Sequence, residues 1–274
     1  MVHGRRFRLS SYVSGLLSAG RTVFTAKEGE RALGVGHGAF LDAAERLQRR
    51  RALLNPRRGS YVVVPPQYAS WGAPPPAWYI DALMRHEGLT YYVGLLKAAE
   101  LHGATHQAVM EFQVVSAKRL PKIRAGRNLI VFYFRKSLEV VAGTEDRKTD
   151  TGTMKISSAA LTALDLLRYP QASGGIDSVA TVLADLAEAI DPVQLAALSA
   201  SVERPVVQRL GHLLEHLGED AAAGAMLEAL RARGSLPWTE LDRHEVQDPD
   251  FAPEPQRRDP RCRVIVRRVP EPDR

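Results

Sequence analysis

Cysteine is almost missing from this chain of 274 residues, where Cys262 stands alone. One thiol excludes an internal disulfide framework and any multi-cysteine zinc site, and it fits a reducing compartment. Long apolar runs are missing too. The longest uncharged stretch, Gly59 to Ile80, holds Pro65, Pro66, Pro74, Pro75 and Pro76, so it is no membrane helix. The opening Met1-Val-His-Gly-Arg-Arg lacks the apolar centre of a signal peptide. A soluble cytoplasmic protein with no membrane partner is expected.

Catalytic signatures are equally scarce. There is no Gly-x-Ser-x-Gly elbow and no Gly-Lys-Ser/Thr phosphate loop. His102 and His106 are spaced i, i+4, but Gly103 should end the helix between them, and no glutamate follows His102 as in His-Glu-x-x-His. His212 and His216 share the spacing and have no third ligand at a metal-site interval. Both pairs read as ordinary helix residues. Cys262 lies between Arg261 and Arg263, which would lower its pKa, but no base is placed beside it. A binding protein is expected rather than an enzyme, with no catalytic residue, cofactor or metal.

What is present is charge, unevenly spread. The net charge is +6 and the pI about 9.6. Residues 1–68 carry 12 basic and 4 acidic side chains, while residues 156–250 carry 6 and 15. A basic head points to a polyanion, and nucleic acid is the commonest one. A solvated basic face is the bland alternative.

The head has further pattern. Leu9, Tyr12, Val13, Leu16 and Leu17 mark one helix face, with Gly20 as the stop. Arg21–Phe24 suits a brief strand. Thr25-Ala-Lys-Glu28 fits a capping box opening a short helix that ends near Gly34. A second helix follows from about Ala39 to Arg51. Its inner positions are Phe40, Ala43, Ala44 and Leu47, and Arg46, Arg49 and Arg50 lie opposite. Ala52–Leu54 and Tyr61–Val64 read as the strands of a hairpin, joined by the turn Asn55-Pro-Arg-Arg-Gly59.

This order predicts a winged helix-turn-helix whose second helix enters the major groove of double-stranded DNA. His37, Gly38, Leu41 and Asp42 would meet base edges. Arg46, Arg49, Arg50 and the wing residues Arg57 and Arg58 would meet phosphates. Thr25 and Lys27 complete the predicted DNA-binding set. As a nucleotide-binding loop, Gly34-x-Gly-x-Gly38 is poor, because it follows a helix rather than a strand.

The whole chain is expected to be α+β: an N-terminal winged helix-turn-helix domain, then a larger mixed domain with early strands and a C-terminal helical bundle. The expected divisions are the winged helix at 1–68, a proline-rich linker at 69–78, an α+β domain at 79–245, and a Pro/Arg-rich tail at 246–274. Within the larger domain, Ile80, Leu83 and Met84 suit a helix, and Tyr91 to His102 another. Met110, Phe112 and Val114 alternate as a strand, and Leu129–Phe134 forms a second, more buried one. Between these strands, Lys118-Arg-Leu-Pro-Lys-Ile-Arg-Ala-Gly-Arg127 holds five basic residues and no acid. It is either a second DNA-facing element or a solvated hairpin loop. From Ser157 onward the chain reads as helical, with Pro192 and Pro205 in first turns. In the tail, Cys262–Val269 alone suits a strand.

Several runs resemble the AbiEi antitoxin family, the transcriptional regulators of bacterial type IV toxin–antitoxin and phage-defence loci. They are Tyr91-Tyr-Val-Gly-Leu-Leu-Lys-Ala-Ala-Glu-Leu-His-Gly-Ala-Thr-His-Gln107, Ala163–Pro170 with Gly174-Gly-Ile-Asp177, Arg209–Gly218, and the wing Arg57–Val64. The chain departs from the family pattern at Ser157-Ser-Ala-Ala160 and at Cys262. The resemblance implies a repressor of its own operon, bound to inverted repeats upstream. It also implies an antitoxin that counteracts a nucleotidyltransferase-like toxin, for which a stable complex is not required. His102 and His106 would then be structural. The alternative is a winged-helix regulator whose second domain senses a ligand or dimerises, with no antitoxin role.

Overall fold

A computed structural model describes residues 8–105, 108–136, 138, 142–246, 248 and 252–271. The chain divides into two compact units. The first comprises Met1–Tyr92, Met110–Glu139 and Asp146–Lys155, and the second Val93–Val109, Val140–Glu145 and Ile156–Arg274. The architecture is α+β.

The first unit opens with α1 (Leu9–Ser18), β1 (Val23–Thr25), α2 (Ala26–Leu33), α3 (His37–Arg49), β2 (Leu53–Arg57) and β3 (Ser60–Val63). The three strands form one antiparallel sheet in the order β1-β3-β2. Thr25 caps α2 through the expected box: its hydroxyl accepts from the Glu28 N–H at 3.2 Å, and its own N–H donates to the Glu28 carboxylate at 2.7 Å. Gly34, left-handed at φ 64°, ends α2.

The core of this head is an aromatic cluster. Phe24 stacks on Tyr61 at 5.5 Å, and Phe40 meets Tyr61 edge-on at 5.2 Å. Leu9, Val13, Leu16, Ala44 and Leu53 close round them. Gly29 lets α3 approach α2, because a Cβ there would lie 2.3 Å from the Phe40 ring.

The β2–β3 hairpin, the expected wing, is tighter than expected. β2 runs through Asn55, Pro56 and Arg57, so the turn is only Arg58-Gly59, with Gly59 at φ 77°. Asn55 makes this shape: its amide donates to the carbonyls of Arg57 at 2.9 Å and Ser60 at 2.8 Å.

The proline segment packs closely, with Ala73 fully buried and the Asn128 amide donating to the Pro74 carbonyl at 3.0 Å. It leads to α4 (Ile80–His86). The helix expected over Tyr91–His102 is in fact a strand and a helix: β4 (Tyr91–Val93) and, in the second unit, α5 (Leu95–Leu101). Tyr-Tyr-Val is aromatic and β-branched, which favours the strand.

The chain continues with β5 (Glu111–Ser116), β6 (Ile123–Ala125), β7 (Asn128–Phe134), β8 (Thr144–Thr149) and β9 (Gly152–Ser157). These five strands and β4 form a sheet of order β6-β7-β5-β4-β9-β8. β5 runs parallel to β7 from Glu111↔Leu129 to Ser116↔Phe134, and β6 runs antiparallel to β7. The expected alternation in β5 is absent, because Phe112 to Ser116 are all buried, while Met110 lies outside the strand, 85% exposed.

The second unit holds α6 (Ala159–Arg168), α7 (Ile176–Leu186), α8 (Pro192–Ser199), α9 (Arg204–Leu217) and α10 (Asp220–Arg231). Pro192 and Pro205 stand in first turns, and Ser158 caps α6 by accepting from the Leu161 N–H. A small sheet follows, of β10 (Thr239–Glu240), β11 (Arg257–Asp259) and β12 (Val264–Val266). Among the described residues, no helix is long and apolar enough to cross a membrane.

Candidate nucleic-acid interface

α3 has two faces. Phe40 and Ala44 point into the aromatic core and are buried. His37, Gly38, Leu41, Asp42, Glu45, Arg46, Arg49 and Arg50 are exposed. Leu41, 42% exposed, is a large apolar side chain with no packing role on that face. Such a residue on a polar helix face leaves apolar surface open to solvent.

The predicted residues are not equally free. The His37 imidazole donates to Glu30 at 2.6 Å. Arg49 pairs with Glu45, one turn earlier, at 2.7 Å. The Thr25 hydroxyl is spent on the cap of α2, while Lys27 is exposed in its first turn. Arg46, Arg50 and Arg58 are exposed and form no ion pair with a described residue.

Arg57 is placed differently from its neighbour. Its guanidinium donates to the Pro121 carbonyl at 2.6 Å and lies over the Phe132 ring, 5.4 Å from its centroid. Burial lowers its pKa, against the nearby charge of Glu87. The wing tip is held a second time, by the His86 imidazole donating to the Arg58 carbonyl at 3.1 Å. Arg57 therefore ties the wing to the sheet, and Arg58 is left as the outward cation. No local signal could have separated the two, because the partners of Arg57 lie more than 60 residues away.

A surface cleft of about 500 Å³ is lined by Arg21, Thr25, Glu28, Trp78 and His86. Its walls are self-satisfied: Arg21 pairs with Glu28 at 2.8 Å, and the Trp78 N–H donates to Asp150 at 2.9 Å.

Two histidines of the second unit hold hydrogen bonds to distant parts of the chain. His102 donates to the Ser157 carbonyl at 2.8 Å. His106 lies outside the described residues. His212 is buried and donates from Nδ1 to Asp259 at 2.7 Å, whereas His216, one turn on, is exposed. Burial alone would raise the Asp259 pKa. The His212 bond and the N–H groups of Cys262 and Arg261 outweigh it and hold the carboxyl below its ordinary range.

Among the described residues, Glu215, Asp259 and Cys262 bring three potential ligand atoms within 4.8 Å of one another. The Asp259 oxygens are already used, closing the turn after β11 with the N–H groups of Arg261 at 2.9 Å and Cys262 at 3.1 Å. The sequence expectation for Cys262 is corrected here. Its thiol is fully buried, and burial together with Asp259 and Glu215 pushes its pKa up, not down. Arg261 pairs with Glu215 at 2.9 Å and does not act on the thiol as expected.

Comparison with known proteins gives three findings. The fold is similar to that of the RV2827C protein from Mycobacterium tuberculosis, known from a crystal structure, with a TM-score of 0.66 over 94% of this chain and 90% of that one. The two are 18% identical, so the likeness concerns the fold. No curated protein matches the chain. Residues 92–216, from the end of β4 through almost all of α9, match the family model of the AbiEi antitoxin C-terminal domain, a family of antitoxins and not of enzymes. Over that segment the chain is similar to the AbiEi antitoxin family.

Proposed function

We propose that this protein is an antitoxin and also a DNA-binding autorepressor whose N-terminal head is a winged helix. α3 lies in the major groove and the Arg58 turn lies against the backbone. Leu41, Asp42, Gly38 and His37 contact base edges. Arg46, Arg49 and Arg50 contact phosphates, joined by Arg58 and, at the first turn of α2, by Lys27, while Thr25 positions that turn through its cap. Arg57 acts indirectly, by fixing the wing. The site is a pair of inverted repeats upstream of the protein's own operon. The toxin it counteracts is nucleotidyltransferase-like, with no stable complex required. Both roles belong to the cytoplasm.

The observation that carries this reading is the outer face of α3. It presents an exposed leucine and, with Arg50 just past its end, three arginines, while Phe40 and Ala44 are buried and Ala43 and Leu47 pack partly against the same core. The test is binding of the purified protein to its own upstream duplex and to a scrambled duplex, at two salt concentrations. Selective binding that weakens with salt is expected. Weak and equal binding to both duplexes would overturn autorepression. For the antitoxin half, co-expression should relieve growth arrest by the neighbouring toxin without the two proteins co-purifying.

A further inference from the structure

The basic segment before β7 is not a loose loop. β6 pairs with β7 from Ile123↔Ile130 to Ala125↔Asn128, so the turn is only Gly126-Arg127. The turn is anchored. The Arg127 N–H donates to the Trp71 carbonyl at 3.0 Å, and a Cβ at Gly126 would lie 2.1 Å from that oxygen. Strand alternation does the rest. Ile123 and Ala125 are buried, and Lys122 and Arg124 face out. Lys118, Arg119 and Arg127 are exposed as well.

Two of these arginines lie over aromatic rings: Arg119 over Phe134 at 5.2 Å and Arg127 over Trp71 at 5.9 Å. From Phe112 to Leu138 the sequence has no acid. Lys118, Lys122 and Arg124 form no ion pair with a described residue. The other end of the hairpin is where Arg57 bonds Pro121. The outward cations Arg58 and Lys122 therefore each adjoin a partner of that tether.

We propose that the β6–β7 hairpin is a second DNA-contacting element, a sequence-independent clamp on the phosphates beside the site read by α3. The proposal rests on the DNA-binding reading of the head and adds a contact that the head does not contain. A rigid, acid-free row of cations continuous with the wing suits a phosphate backbone. The aromatic faces hold Arg119 and Arg127 in place, which reduces the ordering needed on contact.

The test compares Lys122→Gln/Arg124→Gln with Arg46→Gln/Arg50→Gln on the upstream duplex and on a random duplex. All four side chains are exposed, and circular dichroism confirms the fold of each variant. Each lost phosphate contact removes about 0.9 from the salt slope. Between about 50 and 200 mM salt, the wild type should therefore lose roughly tenfold more affinity than the hairpin variant. The hairpin variant should weaken on both duplexes alike, so the preference for the upstream site stays unchanged. An unchanged slope for the hairpin variant, with a changed one for the α3 variant, overturns the clamp and leaves the head as the DNA reader. Intact DNA binding with lost relief of the toxin overturns it in favour of an acidic protein partner. A wild type that binds neither duplex overturns both readings.

Discussion

α3 and α6 are helices put to opposite uses. Of the 13 residues of α3, only Phe40 and Ala44 are buried, whereas in α6 nine of ten are. The neighbours account for the difference. α6 touches α5, α7, α8 and α9, while α3 packs on α1, α2 and β2 along one side. In the helical unit even the polar residues work inward: Asp165, Gln208 and His212 are buried, and the Gln208 amide donates to the carbonyls of Pro237 and Cys262. In the head, packing leaves the outer side chains of α3 unconstrained, so a partner can set them. A helix that gives so little of itself to the core is where recognition is best sought.

The largest effect that bears on this contrast is at Phe40. The head has a small core, and this ring touches both Phe24 and Tyr61. Phe40→Ala should cost about 3–5 kcal/mol. Thermal unfolding should then show an early loss of the head, with DNA binding lost at the same temperature. Leu161→Ala, at a fully buried position of α6, should cost about 2–5 kcal/mol while DNA binding persists to the new melting point. Equal effects of both variants on DNA binding would erase the distinction.

Next in size is the buried pair His212–Asp259. Because the folded Asp259 pKa is depressed, its contribution is present above the ordinary carboxylate range. It is lost as pH falls through the lowered value. Asp259→Asn should cost about 1–3 kcal/mol at neutral pH and flatten the acid limb of stability. Urea midpoints from pH 7 down to pH 3 measure both. Parallel curves for variant and wild type would show that the pair adds nothing to folding.

What was legible in the sequence was local. The Thr25–Glu28 box, the first-turn prolines and the inner face of α3 each rest on residues within a turn or two of one another. Longer-range features were not legible. β8, Thr-Glu-Asp-Arg-Lys-Thr, is an edge strand with its first five residues exposed, so no apolar period marks it. β4 hid within a run whose helical half, α5, dominates the pattern. Asp259 lies 47 residues from His212, and neither carries a sign of the other. Arg57 and Arg58 are the same residue type side by side. Only the tertiary partners Pro121 and Phe132 tell them apart.

That pair provides a smaller and sharper test. Arg58→Gln should reduce the salt slope of DNA binding by about 0.9 on any sequence and change stability by less than about 0.5 kcal/mol. Arg57→Gln should do the reverse: about 1 kcal/mol of stability lost with the carbonyl bond and the ring contact, and little change of slope. Calorimetry and salt titration together decide it. Matching slope losses in the two variants would return Arg57 to the phosphate-contacting set.

The smallest effect concerns the outer face of α3 itself. Glu45 and Arg49 form an exposed i, i+4 pair, with side chains 61% and 74% exposed. Such a pair contributes only about 0.3–0.5 kcal/mol to stability, so Glu45→Gln should scarcely move the melting temperature. On DNA the same change acts twice: it removes a negative charge from the face turned toward phosphates and releases Arg49 from its internal partner. Affinity should rise several-fold on upstream and scrambled duplexes alike, because no base contact is involved. The gain should shrink as salt rises, since screening weakens the removed repulsion and the freed attraction together. Unchanged affinity at low salt would mean that the C-terminal turn of α3 stays away from the backbone. The helix would then enter the groove by its His37 end alone, leaving Arg58 and the β6–β7 hairpin to supply the phosphate contacts.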